Sequence, residues 1–331
     1  MFPIKLNQSW GPLLIKCGDC AAHLATLREQ EARIKELEAR LEALSQLQAA
    51  AVLSDQPIVT VDPMPLETGW AHLKASVIGF KKPFLQDAHD VVVEGENVVL
   101  LVCDGAGSLR HSKEGADFVV KHLGEKFRAF IQSGEVLTKD SWSTRVRALF
   151  LDVVQALKSK SQADRLNYAE FGCTCIVVFA GPDFVACAHV GDGRAGYLDA
   201  SGHWLALMTP HKGELANSTV FMTMLDASTV DQLVRVNFIP SRTRAVVALS
   251  DGPEDVCWQV ASFNPSGQKV VDPNQPSNEF LGKIANQLAG AVAKQVPQED
   301  LDKLWQKFLT EGSPKLKAQV DDKTMLLALR G

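Results

Sequence analysis

The sequence predicts an α+β domain built from antiparallel sheets with helices packed against them. Two observations lead there. Apolar β-rich runs come in adjacent pairs around short turns, and helix-period patterns stand between the pairs rather than after every strand. A third observation excludes the main competitor: no Gly-rich loop follows a first strand, so a dinucleotide-binding Rossmann domain is not expected.

Residues 20–52 come first. Leu27, Ile34 and Leu41 are spaced by seven, and Leu37 and Leu44 follow Ile34 and Leu41 by three. The flanks are charged or Gln, and no Gly or Pro falls between Ala21 and Ser54. This predicts a helix with a short coiled-coil seam, either lying on the main domain or joining a second copy or a partner helix. Cys17 and Cys20 precede it. One CxxC is half of a four-cysteine zinc site, so the readings are free thiols or a zinc shared by two copies. The N-terminal helical segment is bounded at 1–55. A proline-rich linker follows at 56–68, and the main domain runs over 69–331.

Within that domain "DVVVEGENVVLLVCD" predicts a hairpin around Glu94–Asn97, and "CTCIVVFAGPDFVACAHVGD" a second around Gly181–Asp183. "RAGYLDASGHWLAL" predicts a third, and "RAVVALSDG" and "KTMLLALRG" are further buried strands. Ala116, Val119, Val120, Leu123, Phe127 and Phe130 mark one amphipathic helix. Val146, Leu149, Val153 and Leu157 mark a second, and Leu281, Ile284, Leu288 and Val292 a third.

Composition narrows the function. Net charge is -5, with no Lys/Arg cluster, which argues against nucleic acid as a partner. No run approaches the roughly 20 apolar residues of a membrane span, and no signal-peptide core opens the chain. A cytoplasmic protein is expected. Of the seven cysteines, Cys103, Cys173, Cys175, Cys187 and Cys257 lie in or beside apolar stretches and read as buried free thiols.

The chemistry is carried by acids at strand ends. Asp104 follows "VVLLVC", Asp192 follows "VACAHVG", and Asp251 follows "AVVALS". Asp87 precedes "AHDVVV", and Asp321 and Asp322 precede "KTMLLAL". One such Asp is turn chemistry. Together, buried carboxylates need cations, and an all-oxygen set suits a hard ion such as Mg²⁺ or Mn²⁺. No His/Cys set has catalytic zinc spacing.

The order of these motifs resembles the metal-dependent protein phosphatases of the protein phosphatase 2C (PPM) family, over about residues 69–331. "QDAH" resembles its first acidic motif and "CDGAGS" its Asp-Gly-His-Gly-Gly motif. "FGCTCIVV", "VGDGRAGYL", "LSDGPEDV" and "DDKTMLLAL" resemble its later motifs in order. "DGAGS" and "PHKGELANSTVF" are similar to the bacterial branch. The resemblance implies a four-layer αββα sandwich and a serine/threonine phosphoprotein phosphatase using two or three Mn²⁺ or Mg²⁺ ions to activate water. It implies that Asp104 bridges two ions, with the Gly105 carbonyl on one of them. Asp251 and Asp321 would be direct ligands, Asp87 would lie in the second ion's shell, and Asp192 would share a third ion with Asp251. Asp321 is preferred to Asp322 because Thr324 then aligns with the family's Thr. Asp104, Asp251 and Lys82 would carry the catalysis.

Three positions depart from the pattern. Gln86 replaces a Glu, Ala106 replaces the His proposed as general acid, and Lys82 replaces a phosphate-binding Arg. His89 and His111 are alternative acids or structural residues. Gly213–Thr223, with Glu214 and Asn217, falls where the family carries a variable flap. The second functional reading is a catalytically silent binding module that keeps the fold.

Overall fold

The computed structural model describes residues 69–211, 219–260 and 270–331, with Gln30 and the pair Ser262–Phe263. The heptad helix, Cys17, Cys20, the linker, and Glu214 and Asn217 lie outside the described residues.

Ten strands form two five-stranded sheets among the described residues. They are β1 (Trp70–Val77), β2 (Ala88–Glu94), β3 (Asn97–Cys103), β4 (Cys175–Ala180), β5 (Val185–Val190), β6 (Arg194–Leu198), β7 (Trp204–Ala206), β8 (Arg235–Ile239), β9 (Ala245–Leu249) and β10 (Lys323–Arg330). One sheet has the order β1-β10-β9-β6-β7 and the other β2-β3-β4-β5-β8. Pairing within both is antiparallel. The three predicted hairpins are β2-β3, β4-β5 and β6-β7. Two-residue ribbons pair outside these sheets; the one joining Ser262–Phe263 to Val270–Val271 belongs to a separate compact unit.

The central strands β3, β4, β9 and β10 read as continuous apolar runs because both of their faces are buried. In β3, Val98, Leu100 and Val102 face the layer between the sheets. Its alternate residues Val99, Leu101 and Cys103 join the core beneath the first pair of helices. In β10, Leu326 and Ala328 enter the inter-sheet core, while Met325, Leu327 and Leu329 pack under a second pair of helices. The period-2 geometry of a strand thus feeds two cores from one run.

The helices supply the outer layers. α1 (Ser112–Gln132) and α2 (Lys139–Ala163) cover the β2–β8 sheet through Val119, Leu123, Phe127, Val146, Val153 and Leu157. α2 starts at Thr138, whose side chain and that of Ser141 cap each other's backbone amides reciprocally. α3 (Asn278–Ala293) and α4 (Gln298–Glu311) cover the other sheet through Leu281, Ile284, Leu288, Leu301, Trp305 and Leu309. The Trp305 indole donates to the Met325 carbonyl at 2.9 Å, fixing α4 on β10. No helix among the described residues is long and apolar enough to cross a membrane.

The strand register decides where the acids go. Ala88 pairs with Cys103, so Asp87 and Asp104 emerge side by side from β2 and β3. Leu249 pairs with both Met325 and Arg194, so the residues flanking β9, β10 and β6 meet at the same end of the other sheet.

Candidate active site

Asp104 leaves β3 at the point where the chain must turn sharply. Its amide donates to Thr174 Oγ1 at 3.1 Å, and its carbonyl accepts from the Thr174 amide at 2.8 Å. A Cβ at Gly105 would lie 2.7 Å from the Gln86 carbonyl oxygen and 3.0 Å from that of Ser112, so no side chain fits there. At Gly252 a Cβ would lie 2.0 Å from the Asp322 carbonyl oxygen. Both glycines allow two backbones to close around the acid pocket.

Asp87 is buried, and its Oδ2 accepts from Ser250 Oγ at 2.8 Å and from Thr324 Oγ1 at 2.7 Å. Its Oδ1 is buried without a donor, and so is Oδ1 of Asp251. The Asp104 carboxyl lies within hydrogen-bonding reach of Asp87 but can donate only when protonated.

The charges add up unfavourably. Burial first, then the carboxylates of Asp87, Asp251 and Asp321, push Asp104 well above the usual range. Burial, then Asp321, Asp192 and Asp87, raise Asp251 to about 7. Burial raises Asp87 to about 6, against the Thr324 and Ser250 hydrogen bonds that favour its anion. Asp192 stands at the edge of this set, with Oδ2 accepting from Thr219 Oγ1 at 2.6 Å. The structure thus brings Asp87, Asp104, Asp192, Asp251 and Asp321 into one electrostatic cluster.

The two adjacent acids before β10 have different surroundings. Asp322 is fully buried; its oxygens accept from the Gly79 amide at 2.9 Å and the Gln86 amide at 2.7 Å. Asp321 keeps 45% of its side chain exposed and pairs with Lys82 Nζ at 2.6 Å. Lys82 also reaches Asp322 at 3.1 Å. Burial works against the ammonium, but Asp321 and then Asp322 hold its pKa above the ordinary value.

Gln86 is buried, and its Nε2 donates to the Ala106 carbonyl at 3.2 Å and to Ser112 Oγ at 2.8 Å. A glutamate carboxylate could not donate to the Ala106 carbonyl, so the missing charge is exchanged for a tie across the Asp104 turn. His111 stacks on Phe171 at 5.1 Å and bonds Glu114 at 3.1 Å, at the start of α1. His89 Nδ1 lies 2.7 Å from Ser76 Oγ, which lies 2.6 Å from Thr324 Oγ1. Because Thr324 donates to Asp87, the protons must run one way, from His89 through Ser76 and Thr324 to the carboxylate. Burial, then Lys74 and Lys113, lower His89 to about 4. It is therefore a neutral donor at the tail of this chain, not an acid charged at neutral pH.

Ser76 and Ser250 are the site residues that sequence reading missed. The signal for Ser250 was its place beside Asp251; Ser76 carried none, because β1 itself went unrecognised. Thr324→Val removes the donor to Asp87 at nearly constant volume. We expect Mn²⁺ affinity to fall about tenfold or more by calorimetric titration, and Thr324→Ser to restore it. Equal affinities in both variants would show that the hydroxyl does not orient Asp87.

The donor set fits a hard divalent cation. It is all oxygen, two buried carboxylate oxygens lack donors among the described residues, and Lys82 is paired with Asp321 at one side of the set. Among the described residues no three acidic, His or Cys side chains close around one point as a finished cage.

Comparison with known proteins agrees with this architecture. A sequence model of the family described as Protein phosphatase 2C matches residues 81–295. The chain belongs to the protein phosphatase 2C family, a class of phosphoprotein phosphatases. It is 31% identical over 234 residues to Serine/threonine-protein phosphatase 3 of Escherichia coli (strain K12), covering 70% of this chain and 83% of that protein. A serine/threonine phosphatase structure from Staphylococcus aureus aligns with a TM-score of 0.49 and 16% identity, over 83% of this chain and 98% of that one. A sex-determining protein of C. elegans shares the fold, with a TM-score of 0.52 and 15% identity over 79% of this chain and 65% of that one.

Proposed function

We propose that the chain is a Mn²⁺- or Mg²⁺-dependent serine/threonine phosphatase whose catalytic domain spans 69–331. The observation that carries this reading is the electrostatic coupling of acids drawn from separate strand ends, with two buried oxygens left without donors. Asp104, the Gly105 carbonyl, Asp251 and Asp321 would hold the ions directly. Asp87 would serve the second ion and Asp192 a further one beside Asp251. When bound, the ions supply a Lewis-acidic centre that activates water and neutralises phosphate charge. Two hydroxyl donors favour the Asp87 anion against its burial, and Lys82 holds Asp321 in place. Serine/threonine phosphatase activity of the Escherichia coli relative supports phosphoprotein as substrate.

The reading as a silent binding module rested on Gln86, Ala106 and Lys82. Gln86 and Lys82 have defined tasks beside the acids here, and all the acids are present. Residues 20–52 are proposed, on their heptad spacing, to dock a partner helix or a second copy. The activity is tested with the full chain and a phosphothreonine peptide. Phosphate release should require Mn²⁺ or Mg²⁺ and stop on chelation; no metal-dependent release would overturn the assignment.

A further inference from the structure

Eight large apolar side chains are exposed among the described residues, and four of them flank the Lys82–Asp321 pair. Ile78 is 40% exposed, Phe80 50%, Phe84 52% and Val320 66%. Scattered exposed apolar residues need no explanation, but a concentration at one rim does. The two segments are joined through the backbone: the Phe80 amide donates to the Gln319 carbonyl at 2.7 Å. Lys81 between them adopts a left-handed backbone (φ 63°), and its ammonium lies 5.0 Å from the Phe80 ring centroid. That conformation is uncommon for a residue other than glycine. The loop thus displays Phe80 and Phe84 outward while its neighbours Lys82, Gln86 and Asp87 are committed to the acid pocket.

We propose that this rim is the docking surface for the phosphoprotein, and that it selects substrates with an apolar side chain next to the phosphorylated residue. The inference rests on the phosphatase reading. Continuity decides the occupant: the apolar side chains adjoin the Lys82–Asp321 pair beside the coupled acids, so a permanently bound partner would cover those acids, whereas a substrate segment must pass over them. Lys81, exposed on the same loop, adds a positive charge that suits a phosphorylated segment.

The test uses the full-length protein with Mn²⁺ and two phosphothreonine peptides that differ only in leucine or serine on either side of the phosphoresidue. p-Nitrophenyl phosphate, which has no flanking residues, is the reference substrate. Wild type should favour the leucine peptide about tenfold in kcat/KM. Phe80→Ser and Phe84→Ser should erase that preference and leave p-nitrophenyl phosphate turnover unchanged. Equal kcat/KM for the two peptides in wild type, or a preference that survives both substitutions, would overturn the proposal. If wild type hydrolyses none of the three substrates, the phosphatase reading itself fails and the docking proposal falls with it.

Discussion

Asp104→Asn should lower kcat/KM on a phosphothreonine peptide by about a thousandfold or more. The reason is position. Asp104 is the acid whose pKa is raised by Asp87, Asp251 and Asp321 together, so it stands where their fields overlap. Asparagine keeps the size and one acceptor oxygen but withdraws the negative charge a bridging ligand must supply. Calorimetric titration should show weaker Mn²⁺ binding in parallel. The fold should survive, because the turn is held by backbone contacts with Thr174 that the substitution leaves alone. Without metal the variant should melt above wild type at neutral pH, since asparagine need not take up a proton on folding as this crowded carboxyl does. A variant that retains a tenth of wild-type turnover would remove Asp104 from the centre of the site.

The second large effect is a reversal of pH dependence on metal binding. Asp87 and Asp251 are raised from the ordinary aspartate value to about 6 and about 7. A carboxyl whose folded pKa is raised favours the fold while protonated, and that contribution is lost as pH climbs through the folded value. The metal-free protein should therefore lose stability between about pH 4 and pH 7, by a few kcal/mol in all. Its melting temperature should drop by about 5 °C or more between pH 5.5 and 7.5. Divalent ions bind the deprotonated acids, so the gain from saturating Mn²⁺ should be larger at pH 7.5 than at 5.5. Melting curves with chelator and with Mn²⁺ at both pH values decide this. A metal-free melting temperature that rises over the same interval would contradict the clustered acids.

The parts of the fold legible in the sequence were those where burial is two-sided or strongly periodic. β3 and β10 read as strands because both their faces meet a core, and α1 and α3 because their apolar residues keep a helical period. β1 was not legible: its buried residues include Ala71 and Ala75, and His72, Lys74 and Ser76 alternate with them, so its apolar signal is thin. β8 was hidden in the same way, with no fully buried residue in Arg235–Ile239. α4 was missed although Leu301, Trp305 and Leu309 keep a four-residue spacing.

At the site, the acids themselves were legible as strand-end aspartates. What holds them was not. The tie from Gln86 to Ser112 and the hydroxyl chain behind Asp87 join residues up to 248 positions apart in the sequence, and only the strand register brings them together. A lysine read as a phosphate contact also proved to be half of an ion pair.

Asp321 and Asp322 carry one further consequence. They are the same side chain in successive positions, yet one lies open to the pocket and the other is locked onto two amides of the β1–β2 connection. A strand alternates its faces residue by residue, so sliding β10 by a single step would exchange their places. The anchor would swing into the pocket, and the pocket acid would have to seek the amides of Gly79 and Gln86. Nothing in the chemistry of the two carboxylates prevents this. Their division of labour is written in the alignment of β10 with β1, where Val77 meets Lys323 and Ser76 meets Thr324. An insertion of one residue just before Lys323 would therefore scramble the pocket while leaving its composition unchanged.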